Sequence, residues 1–203
     1  MSQQQVGLDD IITTRELERR VTRPPDHQSE SEALVTLMRV LKEPGANVLQ
    51  AVAETALGLC GAHSAGISIA EHDGGEPVFR WHAAAGAWSK FLGRTIPRHA
   101  SPCEVVLERN APLLMAYPER CFIFPLAGVP PLAEVLLVPF AIAGETVGTL
   151  WVIAHDGHRR FDREDLRILQ MLSEVAALAL QISRQQQLRE RSGATSFDCG
   201  VRC

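Results

Sequence analysis

A histidine and an aspartate stand side by side where an apolar stretch ends, at His155 and Asp156. A hydrogen bond between two such residues orients the base of a Ser-His-Asp triad, which makes the pair a candidate for nucleophilic catalysis. Adjacent residues of a β-strand, however, point to opposite faces of the sheet, so these side chains are poorly placed to bond each other. The sequence also lacks the G-x-S-x-G, HExxH and P-loop motifs. We predict that His155 is a structural residue at a strand end and that the chain is not an enzyme.

Cysteine is the second nucleophile to consider, and the chain has five: Cys60, Cys103, Cys121, Cys199 and Cys203. The number is odd and no two cysteines have CxxC spacing, a pattern that fits free thiols in a reducing cytoplasm. A thiol becomes a good nucleophile only when its pKa falls. For Cys103 and Cys121 we expect buried, unreactive thiols, and Cys60 falls on an apolar helix stripe that belongs in the core.

Composition limits the remaining classes of protein. A chain of 203 residues with 46% hydrophobic and 22% charged residues can bury the core of one domain. The formal charge is −4 and the basic residues are interspersed with acidic ones, so nucleic acid is not an expected partner. The apolar window 125–156 contains four prolines, which disfavours a membrane-spanning helix. The opening MSQQQVGLDD lacks the pattern of a secretory signal, so we expect a cytoplasmic location.

Helices and a hairpin are predicted in the first half of the chain. Residues 1–27 are polar and form an N-terminal arm, with a short helical segment at Thr14–Arg20. The capping-box pattern Ser29-x-x-Glu32 predicts a helix to about Glu43, and Asn47 caps a second helix that ends at Gly61. Two β-type runs around Asp73-Gly74-Gly75 predict a hairpin.

The second half of the chain is predicted to contain loops, a second hairpin and a long helix. We expect loop at 87–100, a helix from Pro102 to Asn110, a strand at 112–116, and loop with a short helix at 117–133. A helix should begin at Asp162 and end at Gly193, with 192–203 disordered. Such a helix is about 45 Å long to Arg191, more than one domain needs, so its surplus is expected to pack on a second copy of the chain.

The stretch 134–154 is predicted to be an antiparallel hairpin that turns near Gly144. Both of its runs are almost continuously apolar, where a half-exposed sheet would alternate. We therefore expect both faces of this part of the sheet to be covered, one by helices and the other by loops or a cavity. Pro139 lacks a backbone donor, so a bulge or an unpaired strand edge is expected there.

This order of elements resembles the GAF domain family, the ligand-sensing relatives of PAS domains, over roughly residues 30–185. The most specific match is the closing signature Val138-Pro139, Gly148-x-Leu150 and Phe161-x-x-x-Asp165-x-x-x-Leu169, followed by an Ala-rich helix. SPCEVVLERNAPLLM is similar to the family's middle helix and strand, and EPVFRWHAAAGAW is similar to GAF modules at the front of bacterial sensor histidine kinases. The resemblance divides the chain into an arm (1–27), a GAF-like domain (28–185) and a helix extension with a tail (186–203).

The resemblance implies an α+β fold with an antiparallel sheet of five or six strands and helices on one face. A small-molecule cavity is implied between the other face and the loops around 87–103 and 117–133. By alternation Arg80 and His82 share one face of their strand and become polar contacts if that face borders the cavity. Aromatic residues such as Trp81 and Trp151 more often fill a core than clasp a planar ligand. The candidate ligand-binding residues are Arg80, His82, Trp88, Phe91, Cys103, Cys121 and Phe122.

The family offers several functions, of which a sensory module is the main expectation. It would form a homodimer through its terminal helices and pass ligand occupancy to a kinase or another output partner. One alternative is a bilin-binding photoreceptor that uses Cys121 or Cys103, although Phe122 and Glu104 stand where such relatives usually follow the thiol with His. The others are a cysteine-dependent reductase of free methionine sulfoxide and a purely structural dimerisation unit whose cavity is filled by side chains.

Overall fold

The computed structural model describes residues 7–122 and 128–196, with the side chains of the last helix described to Glu190. The fold is α+β, as predicted: one six-stranded antiparallel sheet carries helices on one face and loops with short helices on the other. The sheet order is β3-β2-β1-β6-β5-β4. The strands are β1 (Ser64–Asp73), β2 (Glu76–Gly86), β3 (Thr95–Pro97), β4 (Leu113–Ala116), β5 (Glu134–Ile142) and β6 (Glu145–Ala154). The helices are α1 (Leu8–Ile11), α2 (Glu16–Arg19), α3 (His27–Lys42), α4 (Val48–Leu59), α5 (Pro102–Arg109) and α6 (Arg163–Ser196).

Both predicted hairpins form. The turn between β1 and β2 uses Gly74 and Gly75, which have φ of 59° and 95°, and the turn between β5 and β6 uses Ala143 and Gly144, at 52° and 83°. Two consecutive residues with positive φ make the turn type whose twist matches that of paired strands. The segment 87–100 was predicted to be loop, but it includes the short edge strand β3, which pairs with β2.

Pro139 lies where the sheet tolerates a missing donor. It pairs with Thr149 of β6 on one side, but β4 ends its pairing at Leu137, so no strand of the described residues lies on the other side of Pro139. The register of the β5–β6 pair shifts just beyond it, between Phe140 and Ala141. The predicted bulge and unpaired edge are therefore both present near this residue.

The capping of the helices agrees with the sequence at two of three sites. The Asn47 side chain accepts a hydrogen bond from Gln50 N at 3.1 Å, and α5 begins with Pro102. The predicted capping box at Ser29 is wrong, because α3 begins three residues earlier, at His27. Asp26 is its cap, and its carboxylate accepts from Ser29 N at 3.1 Å. Asp is as good a cap as Ser, and it stands directly before the residues that lie in the first turn.

Helix α6 is longer than predicted. Gly193 was expected to end it, but the helix continues through that glycine to Ser196, a length of about 51 Å for 34 residues at 1.5 Å each. One internal glycine costs only about 1 kcal/mol in a helix, which does not outweigh a long run of good helix formers. The predicted disorder of the tail is wrong for 192–196, and residues 197–203 lie outside the described part of the chain.

The sheet is covered on both faces, as predicted from 134–154. Alternate residues of β5 and β6 enter two separate cores. The helix-face core contains Leu136, Val138, Leu150 and Val152 with α4 and α6. The loop-face core contains Val135, Leu137, Trp151 and Ile153 with the residues of the covering loops. Residues 134–154 of the stretch predicted not to span a membrane are thus the interior of this sheet.

Helix α6 is the one described helix that is apolar and long enough, by composition alone, to cross a membrane, with a mean hydropathy of 1.3 over its best window. One side of the helix has partners in the fold. Leu169, Leu172 and Ala176 are fully buried against the sheet and α4. The apolar residues on that side of α6 are therefore those of a core helix.

Candidate functional site

Three tryptophans meet in the loop-face core. Trp81 comes from β2, Trp151 from β6, and Trp88 from the loop that follows β2. The ring centroids of Trp88 lie 5.1 Å from Trp81 and 5.5 Å from Trp151, and those of Trp81 and Trp151 are 6.3 Å apart. Phe91 packs edge-on against Trp88 at 5.7 Å. Tilted and edge-on contacts at these distances are the favoured geometry of aromatic pairs, and we call these four side chains the aromatic cluster.

Glycines in the strands make room for neighbouring side chains. A Cβ placed on Gly66 would lie 2.3 Å from the ring of Trp151 and 2.5 Å from the carbonyl of Ala83. A Cβ on Gly148 would lie 2.5 Å from the carbonyl of Ser68 and 2.7 Å from the ring of Phe140, so this second glycine makes room on the helix face and not for the cluster. Both glycines therefore permit a close approach that no other residue allows. This explains the glycine of the Gly148-x-Leu150 signature in physical terms.

A buried polar row lies beneath the cluster. Trp151 Nε1 donates to Ser68 Oγ at 2.9 Å, and Thr149 Oγ1 donates to Cys103 Sγ at 3.1 Å. Burial raises the pKa of the Cys103 thiol, and the hydrogen bonds of its side chain with Thr149, Ser101 and Ser68 only partly oppose this. Cys103 is therefore a protonated, weakly nucleophilic thiol within this buried polar row.

The empty space at this site is small. The cavity between the cluster and α5 holds about 30 Å³ and is lined by Trp81, Trp88, Trp151, Cys103, Leu132 and Leu137 among others. That volume is about the share of one water molecule in the liquid. Side chains therefore close the site in this conformation. None of the described residues that line the cavity carries a charged side chain.

The structure brings five of the seven candidate residues to the loop face. Trp88, Phe91, Cys103 and Phe122 are buried in the same core. Cys121 is partly buried at its margin, where its Sγ lies 3.6 Å from the carbonyl of Gly7.

The other two candidates, Arg80 and His82, lie on the opposite face of the sheet. Alternation along β2 holds, with Phe79 and Trp81 in the loop-face core. A register shift in the β1–β2 pair then leaves His82 without a partner residue. Since that face is covered by helices, the condition under which Arg80 and His82 would contact the cavity is not met.

Arg80 and His82 instead share one carboxylate. Arg80 Nε donates to Glu71 at 3.0 Å, and His82 Nε2 bonds the other oxygen of Glu71. Burial raises the pKa of Glu71, but these two hydrogen bonds outweigh it and lower the pKa overall. The group borders an open groove of about 590 Å³ between the α3–α4 connection and α6, which sequence patterns did not reveal.

His155 makes a hydrogen-bonded pair with Ser64. Its Nδ1 lies 2.8 Å from the carbonyl of Pro131, so Nδ1 carries the hydrogen, and Nε2 accepts from Ser64 Oγ at 2.8 Å. This tautomer is the one a Ser-His nucleophile needs. Ser64 is fully buried, however, so no substrate reaches it. Asp156 turns away and accepts from the backbone of His158 at 2.9 Å, and the pair is structural.

Sequence reasoning missed the small residues that build the site. Ser68 holds Trp151 in place, and Gly66 gives it room. A glycine inside a strand is the available signal for such a close approach. Within residues 7–122 and 128–196, no group of three His, Cys, Asp or Glu side chains is placed to hold a metal ion.

A one-sheet α+β fold with a loop-covered aromatic site on one face and a projecting helix on the other defines a class of small sensory domains. The family model described as GAF domain matches residues 46–181, and the chain belongs to this family of sensory and ligand-binding modules. No curated protein sequence matches the chain.

Solved structures with the same fold come from several kinds of protein. The GAF domain of a phosphoenolpyruvate-protein phosphotransferase from Coxiella burnetii is 17% identical, with a TM-score of 0.66 over 81% of this chain and 99% of that one. The second GAF domain of DevS from Mycobacterium smegmatis is 23% identical, with a TM-score of 0.55 over 71% and 98%. Free methionine-R-sulfoxide reductase from Neisseria meningitidis is 15% identical, with a TM-score of 0.61 over 82% and 98%. These similarities establish the shared fold.

Proposed function

We propose that the chain is a non-enzymatic, cytoplasmic sensory module that binds an uncharged planar molecule at the aromatic cluster. It signals through a homodimer formed by its terminal helices. The observation that carries this proposal is the contact of three tryptophan rings beneath a loop cover, with no charged side chain among the described residues around the cavity.

The chemistry of the lining selects the class of ligand. Flat indole faces favour a planar ring system, which gains both dispersion and apolar burial on stacking. A charged ligand would lose its hydration without a partner, at a cost of several kcal/mol. The hydroxyl and thiol of Ser68 and Cys103 offer hydrogen bonds to one or two polar atoms. An uncharged heteroaromatic molecule satisfies all three conditions.

Entry of a ligand requires one ring to move, and Trp88 is the ring that moves. Trp81 and Trp151 belong to paired strands, whereas Trp88 precedes a short 3-10 turn at Ser89–Phe91 in the covering loop. A ligand that takes the place of the Trp88 ring against Trp81 and Trp151 binds only the open arrangement, in which Trp88 has moved away. Such a difference in affinity is what a ligand needs in order to shift a conformational equilibrium.

The terminal helices offer the dimer surface. Glu30, near the start of α3, pairs with Arg167, near the start of α6, at 2.6 Å. Leu41, near the end of α3, and Ser183, further along α6, line one groove, so the two helices run parallel. Large apolar side chains remain exposed on this pair: Val35 (44%), Met38 (56%), Leu178 (48%) and Leu188 (63%). A second copy of the chain buries them.

The projecting end of α6 is the route to the output partner. From Gln181 to Glu190 every side chain but Ile182 is exposed, so about 15 Å of helix leaves the domain. Val175, Leu178 and Ile182 follow heptad spacing, which continues the dimer contact along the helix. We propose a kinase or a comparable signalling domain as the output, with no role for nucleic acid or a membrane.

The test uses the fact that all the tryptophans are at the site. The chain has three tryptophans, and all three belong to the cluster, so intrinsic fluorescence reports on this site alone. A library of neutral heteroaromatic metabolites is screened for quenching, with native mass spectrometry to count ligand and subunits. A hit should bind more tightly to Trp88→Ala, because the ring that it must displace is gone, and should keep the affinity of the unmodified chain in His82→Ala. A hit that binds both variants equally, or only charged hits, would overturn the proposed site.

A further inference from the structure

The N-terminal arm passes from one face of the sheet to the other. Ile11 is fully buried in the loop-face core, the same core that holds the aromatic cluster. Leu17, six residues later, is buried in the helix-face core with α4 and α6. Between them the chain rounds β4, which is the last strand of the sheet. The arm therefore contributes to both cores.

The arm is attached to the edge of the sheet by backbone hydrogen bonds. Thr13 N donates to Leu114 O at 2.8 Å, and Leu114 N donates to Thr14 Oγ1 at 3.1 Å. Ile12 forms an antiparallel bridge with Met115. These bonds satisfy backbone groups of β4 that would otherwise be left unpaired at the edge.

Arg20 anchors the far end of the arm beneath α6. Its guanidinium makes a two-pronged ion pair with Glu134, with Nη1 at 2.9 Å from Oε2, and also donates to the carbonyl of Phe161 at 2.6 Å. Glu134 in turn accepts from Phe161 N at 2.9 Å. Both side chains of the ion pair are largely buried. Removing one partner of such a pair leaves a buried, unpaired charge, which is strongly unfavourable.

Arg23 anchors the arm to the first turn of α6 itself. Its backbone N donates to Asp162 Oδ2 at 3.0 Å, and its guanidinium pairs with Asp165 and donates to Leu59 O at 2.9 Å. Asp162 is also the cap of α6, because it accepts from Glu164 N at 2.8 Å. The same carboxylates therefore hold the arm and begin the helix.

We infer that residues 7–23 act as a mechanical strap that couples the packing of the loop-face core to the start of α6. At the loop end the strap rests on that core through Ile11 and meets Cys121 through the carbonyl of Gly7. At the helix end it is held by buried charges that bond well only when the arm is docked. The strap therefore docks and releases as one unit, so release of either end also releases the other.

The role of the strap in signalling rests on the proposed sensory function. The coupling between its two ends does not, since it can be tested without any ligand. The test compares Arg23→Ala with Arg19→Ala, because Arg19 is a near neighbour on the arm whose side chain is 72% exposed. Two readouts lie far from Arg23: the rate at which iodoacetamide alkylates Cys121, followed by peptide mass spectrometry, and amide hydrogen exchange at Thr13. The strap predicts a rise of about tenfold in both for Arg23→Ala and no change for Arg19→Ala.

A reciprocal variant tests the coupling from the loop end. Ile11→Val removes one methylene from the loop-face core and should speed amide exchange at Arg23 on the other face. Should Arg23→Ala fail to fold, as judged by tryptophan emission, Arg23→Lys keeps the charge and takes its place. Faster exchange confined to the mutated end in either direction would overturn the strap. If a ligand still quenches tryptophan fluorescence in variants whose arm is released, the proposed binding site is retained. That result would rule out only the coupling between the arm and the site.

Discussion

The ring of Trp151 lies so close to Gly66 that a side chain of a single methyl group at residue 66 would come within 2.3 Å of it. The two residues are also directly opposite each other in the pairing of β1 with β6. The position of the central tryptophan is thus set by the absence of a side chain on the neighbouring strand. The aromatic cluster depends on this relationship as much as on its own rings.

Gly66→Ala should displace Trp151 and open the cluster. The backbone carbonyl of Ala83 also lies 2.5 Å from the added carbon, so the methyl group does not fit without a shift of the backbone. We expect a loss of about 1–3 kcal/mol in the free energy of unfolding, as for overpacked cores, and a red shift of tryptophan emission. Gly58→Ala is the control, because a methyl there meets nothing within 4 Å. It should leave emission unchanged and stabilise α4 by up to about 1 kcal/mol. Equal effects of the two variants would contradict this account.

The Ser64–His155 pair should make stability depend on pH. Burial lowers the pKa of His155, and the hydrogen bond to Pro131 O only partly opposes it. The unfolded chain takes up a proton on this imidazole near pH 6.5, whereas the folded chain takes it up only at lower pH. Stability from His155 is therefore complete above about pH 6.5 and is lost as the pH falls toward the folded pKa.

Urea unfolding at pH 7.5 and pH 5.5 measures this loss. His155→Gln should flatten the difference in unfolding free energy between the two pH values, since Gln does not titrate. His72→Gln, at the exposed end of β1, should leave the difference as it is in the unmodified chain. If the difference in unfolding free energy between the two pH values persists in His155→Gln, another titrating group causes it.

The carboxylate of Asp162 should control stability in acid. Burial raises its pKa, but the backbone N–H groups of Arg23, Asp165 and Glu164 and the charge of Arg23 lower it overall. Its contribution is therefore present above the ordinary value of about 4 and is lost as the pH falls through the folded pKa. Asp162→Asn should weaken the start of α6 and reduce the change in melting temperature between pH 5 and pH 3. Asp73→Asn, at the exposed end of β1, serves as the comparison, and an equal reduction there would refute the assignment.

The sequence predicts the fold better than it predicts the site, for a physical reason. Continuous apolar runs such as 134–154 report burial on both faces of a sheet directly, and glycine turns report hairpins. Which face of β2 meets which layer depends on how distant elements pack. Alternation therefore predicted that Arg80 and His82 share one face of their strand, but it did not predict which layer covers that face. The size of a cavity depends on rotamers such as that of Trp88, which no local pattern encodes.

The cysteine-dependent alternatives make a contrary prediction. If the chain reduced free methionine sulfoxide, turnover would need a thiolate, yet burial raises the pKa of Cys103 and its Sγ is held by Thr149. We expect no turnover with a thioredoxin-coupled assay, and a colourless product after co-expression with bilin synthesis. Turnover or visible absorbance that disappears in Cys103→Ser or Cys121→Ser would replace the sensory proposal with the corresponding alternative.

The exposed apolar side chains of α3 and α6 should set the oligomeric state. Burial of Met38 and Leu178 against a second copy stabilises the dimer by about 25 cal/mol for each Å² of apolar surface removed from water. A carboxylate at either position would instead be buried without a partner. We expect the unmodified chain to sediment at micromolar concentration with twice the 22.2 kDa of one chain. Leu178→Glu should give the mass of one chain, whereas Glu174→Gln, one turn away on an exposed position of the same helix, should keep the dimer. Leu178 lies 13 residues, about 20 Å of helix, beyond Asp165, which holds the arm, so Leu178→Glu should leave Cys121 alkylation unchanged. A monomeric unmodified chain would remove the helix pair as the output.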